Sequence, residues 1–152
     1  METIDHKIRR LIHYYMRLTG TRDPVAIARA AGIPIVILPL GEIAGTYMLL
    51  KRKQWIFIND NIPADSPLFR VVAAHELGHA LLHRKENCAF LKHKTLLLTS
   101  GIEMEANQFA AELLIDKEML EEYAGYTQND FCRCTGYPKE LIELRLKQPL
   151  AF

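Results

Sequence analysis

Apolar residues recur at helical spacing along the first part of the chain. Between residues 4 and 18 they occupy positions 4, 8, 11, 12, 15 and 18, which is the pattern of an amphipathic helix. Asp23 and Pro24 then resemble a helix N-cap with proline in the first turn, and Gly32 closes the short helix that they begin. We therefore predict a helical N-terminal segment over residues 1–32.

The next part of the chain is rich in β-branched residues and is interrupted by turn residues. Residues 33–39, which contain two prolines, and the segments Gly45–Leu50 and Gln54–Asn59 are predicted to be strands. Residues 51–53 are the expected turn between the last two. Residues 33–60 are thus predicted to form a small sheet of about three strands, either mixed or antiparallel.

Helical signals dominate the rest of the chain, beginning where Ser66 and Pro67 provide an N-cap and a first-turn proline. That helix should run to about His83. Residues 84–101 should then connect it to a long helix over 102–115, with room for one short element in the connection.

Two shorter helices complete the pattern, one capped by Asp116 and ending near Gly125, the other starting at Pro138. The predicted fold class is α+β, with the small sheet packed on a mostly helical domain. Residues 1–152 are expected to form a single domain of four segments, which are the N-terminal helices (1–32), the sheet (33–60), the central helices (66–124) and the C-terminal helices (125–152).

Composition and charge narrow the class of protein. The 152 residues carry a formal net charge of +1, which gives no support for direct nucleic-acid binding, since such proteins usually have a strongly basic face. We find no signal-peptide pattern and no apolar run long enough to span a bilayer, so we expect a cytoplasmic protein without membrane contact. Reduced thiols are expected at the three cysteines, Cys88, Cys132 and Cys134.

The first central helix carries the sequence His-Glu-Leu-Gly-His at residues 75–79. Residues four apart lie about 40° apart around a helix and about 6 Å apart along it, so both imidazoles can bind one zinc ion. Glu76 lies beside the pair, where it can act as a general base without binding the metal. Because residues 71–82 are mostly apolar, we expect His75, Glu76 and His79 to be buried, and a metal would supply their partners.

A catalytic zinc site usually has three protein ligands and one open position. A third histidine six residues after the second is excluded, because Lys85 stands there. The expected third ligand is Glu103 on the later helix, with Asn107 on the same face as a hydrogen-bond partner of one of the ligands. Glu105, about 200° round the helix from Glu103, is the alternative ligand.

Several other side chains have competing interpretations. His83 continues the i, i+4 row from His79, and we interpret it as a neighbour of the site, because a fourth protein ligand would close the open position. Cys88 is interpreted as a thiol that does not bind the metal. Tyr126 and Tyr137 are candidates to stabilise an oxyanion, with core or surface packing as the alternative for each.

Two segments suggest binding roles of a different kind. Gly45–Leu50 has the pattern of an edge strand that could hold an extended peptide, and a purely structural edge is the alternative. Residues 23–32 resemble the first helix of a helix-turn-helix. The apolar, proline-bearing residues 33–38 stand where a basic recognition helix would be needed, and this disfavours a DNA-binding regulator.

The sequences at residues 75–83 and 103–114, taken together, resemble the ImmA/IrrE family of metallopeptidases. The resemblance extends upstream to the strand Ile56–Asn59 and, more weakly, downstream to residues 135–138, so that it covers most of the chain from about Ala44 onward.

This resemblance implies a zinc endopeptidase with metal ligands His75, His79 and Glu103 and with Glu76 as the catalytic base. Members of the family are typically encoded by prophages and other mobile elements or act in stress responses, where they are thought to inactivate a helix-turn-helix repressor. The implied partner is therefore such a repressor. The alternative is a zinc-bearing sensor or interaction module that binds a repressor without cutting it.

Overall fold

The structure is a computed structural model that describes residues 1–91 and 101–147, except for the side chains of residues 88–91 and 147. Within these ranges the chain forms seven helices and four strands, in the order α1 (Ile4–Thr19), α2 (Pro24–Ala30), β1 (Ile35–Leu38), β2 (Ile43–Leu50), β3 (Lys53–Asn59), α3 (Pro67–Leu82), β4 (Cys88–Leu91), α4 (Gly101–Leu114), α5 (Lys117–Glu122), α6 (Gln128–Thr135) and α7 (Lys139–Lys147). This arrangement confirms the predicted α+β fold class.

The predicted helix caps are present at the expected residues. Asp23, Ser66 and Asp116 each have an extended backbone, and each side chain accepts a hydrogen bond from an amide in the first turn of its helix. Helix α6 was not predicted individually, because it is short and polar and buries only Phe131. Strand β4 falls in the connection in which one short element was expected.

The sheet is mixed, with the strand order β1-β3-β2-β4. Strand β1 is parallel to β3, whereas β2 is antiparallel to both β3 and β4. The β2–β3 turn consists of Lys51 and Arg52, both with positive φ, as a tight two-residue hairpin requires. Because β4 pairs with residues 43–47 on the side of β2 away from β3, β2 lies inside the sheet, and the suggestion that Gly45–Leu50 is an edge strand is wrong.

Helix α3 lies at the centre of the fold, between the sheet on one side and α4 on the other. Its residues from Val71 to Ala80 are all buried, which explains why they are apolar around almost the whole helix. Strand β2 and helix α4 both pack closely against α3. A Cβ atom on Gly45 of β2 would lie 2.4 Å from Val72 Cγ1, and one on Gly78 would lie 3.1 Å from Phe109 of α4.

The carboxyl end of α4 is held by two arginines from distant parts of the chain. Arg22 Nη1 donates to the carbonyl oxygens of Glu112 and Leu113, at 2.8 and 3.2 Å. The buried Arg145 of α7 donates through Nε to the carbonyl of Ile115 at 2.7 Å. These donors satisfy carbonyls that the helix itself leaves free, and their charge suits a helix C-terminus.

Within the described ranges, none of the helices is both long and apolar enough to cross a membrane.

Replacing Gly45 tests the contact between β2 and α3. Gly45→Ala is expected to destabilise the protein by about 1–3 kcal/mol in urea unfolding, because the new methyl group overlaps Val72 Cγ1. Val72→Ala removes that atom, so the double variant should be more stable than the sum of the two single effects predicts. The rescue should be partial, since the carbonyl oxygen of Phe57 would also lie 3.1 Å from the new Cβ. Strictly additive effects would contradict this interpretation.

Candidate metal centre

Helix α3 presents two imidazoles on one face in the middle of the protein. His75 and His79 have no exposed surface, and their Nε2 atoms lie 3.1 Å apart. The four-residue spacing brings the rings together, with centroids separated by 4.7 Å. Both Nε2 atoms therefore face the same small volume beside the helix.

Glu103, in the first turn of α4, brings a carboxylate to the same volume. Its Oε1 lies 2.8 Å from His79 Nε2, and its Oε2 lies 3.3 Å from His75 Nε2. Among the described residues, these three side chains form the group of histidine, cysteine and acidic residues that could hold a metal ion. Glu105, the alternative third ligand, is not part of this group.

The three groups lie close enough together to bind one metal ion. Ligands at Zn–N and Zn–O distances of about 2.0–2.2 Å are separated from one another by about 3.3 Å in a tetrahedron. The two Nε2 atoms lie 3.1 Å apart, close to this value. The carboxylate approaches them through different oxygens, with Oε1 at 2.8 Å from His79 Nε2 and Oε2 at 3.3 Å from His75 Nε2. Two imidazole nitrogens and one carboxylate are also a ligand set that zinc commonly takes in catalytic sites.

Electrostatics favour the protonation states that bind a metal. Burial lowers the pKa of His75, because the charged imidazolium loses its hydration. For Glu103, partial burial acts to raise the pKa, but hydrogen bonds and charge interactions with His75 and His79 outweigh it and lower the pKa to about 2. At neutral pH the carboxylate is therefore ionised and the His75 ring is neutral.

Glu76 lies beside this group without belonging to it. Its side chain is fully buried, and its Oε1 is 3.9 Å from His75 Nε2. Strand β2 passes close to it, since a Cβ on Gly45 would lie 3.6 Å from Glu76 Cγ. A carboxylate in this position can accept a proton from a molecule near the three donor atoms without occupying a ligand position.

Each histidine of the group has an outer partner. Asn107, buried on α4 one turn after Glu103, lies beside His75, where its side chain acts to raise the His75 pKa against the larger lowering effect of burial. His79 instead faces His83, with 3.2 Å between their Nδ1 atoms. His83 Nε2 in turn lies 2.6 Å from Glu105 Oε1.

The contact between His83 and Glu105 was not predicted from the sequence. The available signal was the i, i+4 row of histidines, which placed His83 next to His79 but gave it no partner on another helix. Because both ring nitrogens of His83 face protein groups, the structure supports the interpretation of His83 as a neighbour of the site.

The two candidate oxyanion residues have other contacts. The hydroxyl of the buried Tyr137 accepts a hydrogen bond from Arg70 Nη1 at 3.2 Å, which supports the packing alternative. Tyr126 is largely exposed, and its ring lies edge-on against Tyr123. The free thiols of Cys132 and Cys134 are half-buried and exposed, respectively. The side chain of Cys88 lies outside the described residues.

Comparison with known proteins gives an independent assignment. The Peptidase_M78 family, described as the IrrE N-terminal-like domain, matches residues 28–147. The chain is 36% identical over 141 residues to "Uncharacterized immunity region protein 2" of Bacillus phage phi105, covering 91% of this chain and 85% of the relative. It is 30% identical over 148 residues to "Metallopeptidase ImmA" of Bacillus subtilis strain 168, covering 96% and 79%. The chain therefore belongs to the ImmA/IrrE family of metallopeptidases.

Proposed function

We propose that residues 1–152 form a single zinc-metallopeptidase domain and that His75, His79 and Glu103 hold the metal, with Glu76 as the general base. The observation that carries this proposal is the convergence of donor atoms from two helices. His75 and Glu103 are far apart in the sequence, yet their donor atoms lie 3.3 Å apart in the interior of the protein. A structural role alone does not explain why three metal-binding groups share one volume.

The proposed reaction is hydrolysis of a peptide bond. A Zn²⁺ ion bound there would make water more acidic and polarise the substrate carbonyl. Glu76 takes a proton from the attacking water as its oxygen bonds to the carbonyl carbon, and then gives that proton to the amide nitrogen as the C–N bond breaks. Full burial of Glu76 keeps bulk water from competing for this proton.

We further propose that the substrate is a helix-turn-helix repressor and that cleavage releases genes of a mobile element or of a stress response. The name of the phage phi105 relative, an immunity region protein, supports an anti-repressor role of this kind. In this proposal the protein acts in the cytoplasm on another protein, without binding nucleic acid or membrane itself.

The alternative function is a module that carries zinc and binds the repressor without cutting it. The burial of the site favours this alternative, because a substrate must reach the groups that cut it. His75, Glu76 and His79 have no exposed surface, whereas 20% of the Glu103 side chain is exposed. The presence of Glu76 favours the enzyme, because a protein that only binds would have no use for a base beside the metal.

The metal content of the protein tests the proposed ligands. We expect about one zinc per chain by elemental mass spectrometry. Glu103→Ala should weaken zinc binding by more than the roughly 10–100-fold that follows loss of an outer hydrogen-bond partner. Glu121→Ala, which removes an exposed carboxylate of α5, is the matched control and should bind zinc as the original protein does. Absence of zinc even after loading would rule out the proposed site.

Glu76→Gln separates the enzyme from the binding module. With the proposed helix-turn-helix repressor as substrate, we expect cleavage to slow by about 10²–10⁴-fold, because glutamine cannot take the proton. Zinc content and repressor binding should both be retained. Electrophoresis would measure cleavage and repressor binding, and elemental analysis would measure zinc. Relief of repression by the variant at the normal level, without cleavage, would favour the binding module.

A further inference from the structure

A row of three side chains leads from the proposed metal ligands to the surface. It begins at His79, which is fully buried, continues through His83, whose side chain is 8% exposed, and ends at Glu105, which is 36% exposed. The two links are the 3.2 Å separation between the Nδ1 atoms of the histidines and the 2.6 Å contact of His83 Nε2 with the Glu105 carboxylate. The function proposed above gives no role to the outer two residues.

The local backbone explains how His83 reaches this position. Helix α3 ends at Leu82, and His83 has φ −131° and ψ 54°, outside the helical region. Its amide still donates to the carbonyl of His79 at 2.7 Å, so the residue stays against the last turn. At this position its ring can face His79 on one side and α4 on the other.

Hydrogen-bond chemistry fixes the protons along the row. A carboxylate only accepts, so Glu105 requires a proton on His83 Nε2. The Nδ1 atom of a neutral His83 then carries a lone pair and accepts from Nδ1–H of His79. With an ion bound, His79 then carries its proton on Nδ1 and its lone pair on Nε2, the atom that lies 2.8 Å from Glu103 Oε1 and 3.1 Å from His75 Nε2.

We propose that His83 and Glu105 are positioning residues that hold His79 in the tautomer and ring orientation that present its Nε2 lone pair to the metal. This inference rests on the metal site proposed above and extends it. In this proposal His83 gives His79 an outer partner 3.2 Å from its Nδ1 atom. An outer hydrogen bond of this kind raises the affinity of a histidine ligand for its metal.

Zinc affinity, measured by competition with a chromophoric chelator, tests the proposal without reference to activity. His83→Leu should weaken binding by about 10–100-fold, because Nδ1–H of His79 loses its acceptor. His83→Gln should recover most of this loss, since its amide can accept from His79 and donate to Glu105. Glu105→Leu should weaken zinc binding by about 10-fold, whereas Glu105→Gln, which keeps an acceptor, should bind nearly as tightly as the original protein.

Two further measurements distinguish positioning from a general structural role. The melting temperature of the zinc-free protein should be similar in the Leu and Gln variants of each residue, although their zinc affinities differ. In the zinc-loaded protein, ¹⁵N NMR should detect coupling through a hydrogen bond between the Nδ1 atoms of His79 and His83. If His83→Leu does not fold, the two variants of the partly exposed Glu105 still supply the comparison.

The proposal and the metal site fail in different ways. The positioning role is overturned, and the metal site stands, if the original protein binds zinc and the zinc affinities of both Leu variants are within about twofold of the original value. A zinc-loaded protein with a proton on Nδ1 of His83 would likewise overturn the positioning role. If the original protein binds no zinc, the metal site itself is wrong, and the positioning role falls with it.

Discussion

The packing of α3 against α4 is the contact on which the rest of the site depends. Gly78 makes it possible, because a Cβ there would already lie 3.1 Å from Phe109, and any larger side chain would push the helices apart. At this spacing the Glu103 carboxylate reaches the imidazoles of His75 and His79. A separation greater by even 1 Å would remove the carboxylate from ligand distance.

The same packing puts costly polar groups into the interior. His75, Glu76, His79 and Asn107 are all buried in a core that is mostly apolar, and such groups destabilise a protein unless they have partners. In this structure the histidines find partners within the site itself, since Glu103 contacts both of them and His83 faces His79. The polar site is thus stabilised by the arrangement that also suits a metal.

The elements that carry these groups are fixed at their ends. Ser66 caps α3 through its side chain, and Arg22 and Arg145 hold the last carbonyls of α4. On the sheet side, Gly45 allows β2 to lie against Val72, next to Glu76. Because both helices are anchored away from the proposed site, the positions of its four side chains, His75, Glu76, His79 and Glu103, follow from the packing of the whole core.

The sequence by itself determined the local features of the structure, which depend on residues that are neighbours in the chain. Helical periodicity and caps predicted most of the helices, and the spacing of His75 and His79 fixed their shared face, because the geometry of one helix is the same wherever it lies. Helix α6 escaped prediction, and β4 was expected only as one short element of unspecified type, because short segments give weak periodic signals. The tertiary structure alone decided the strand order, the distances at which the Glu103 carboxylate meets the two histidines, and the pairing of Glu105 with His83. These features depend on how segments distant in the chain approach one another, which is set by packing of the entire core and not by any local pattern.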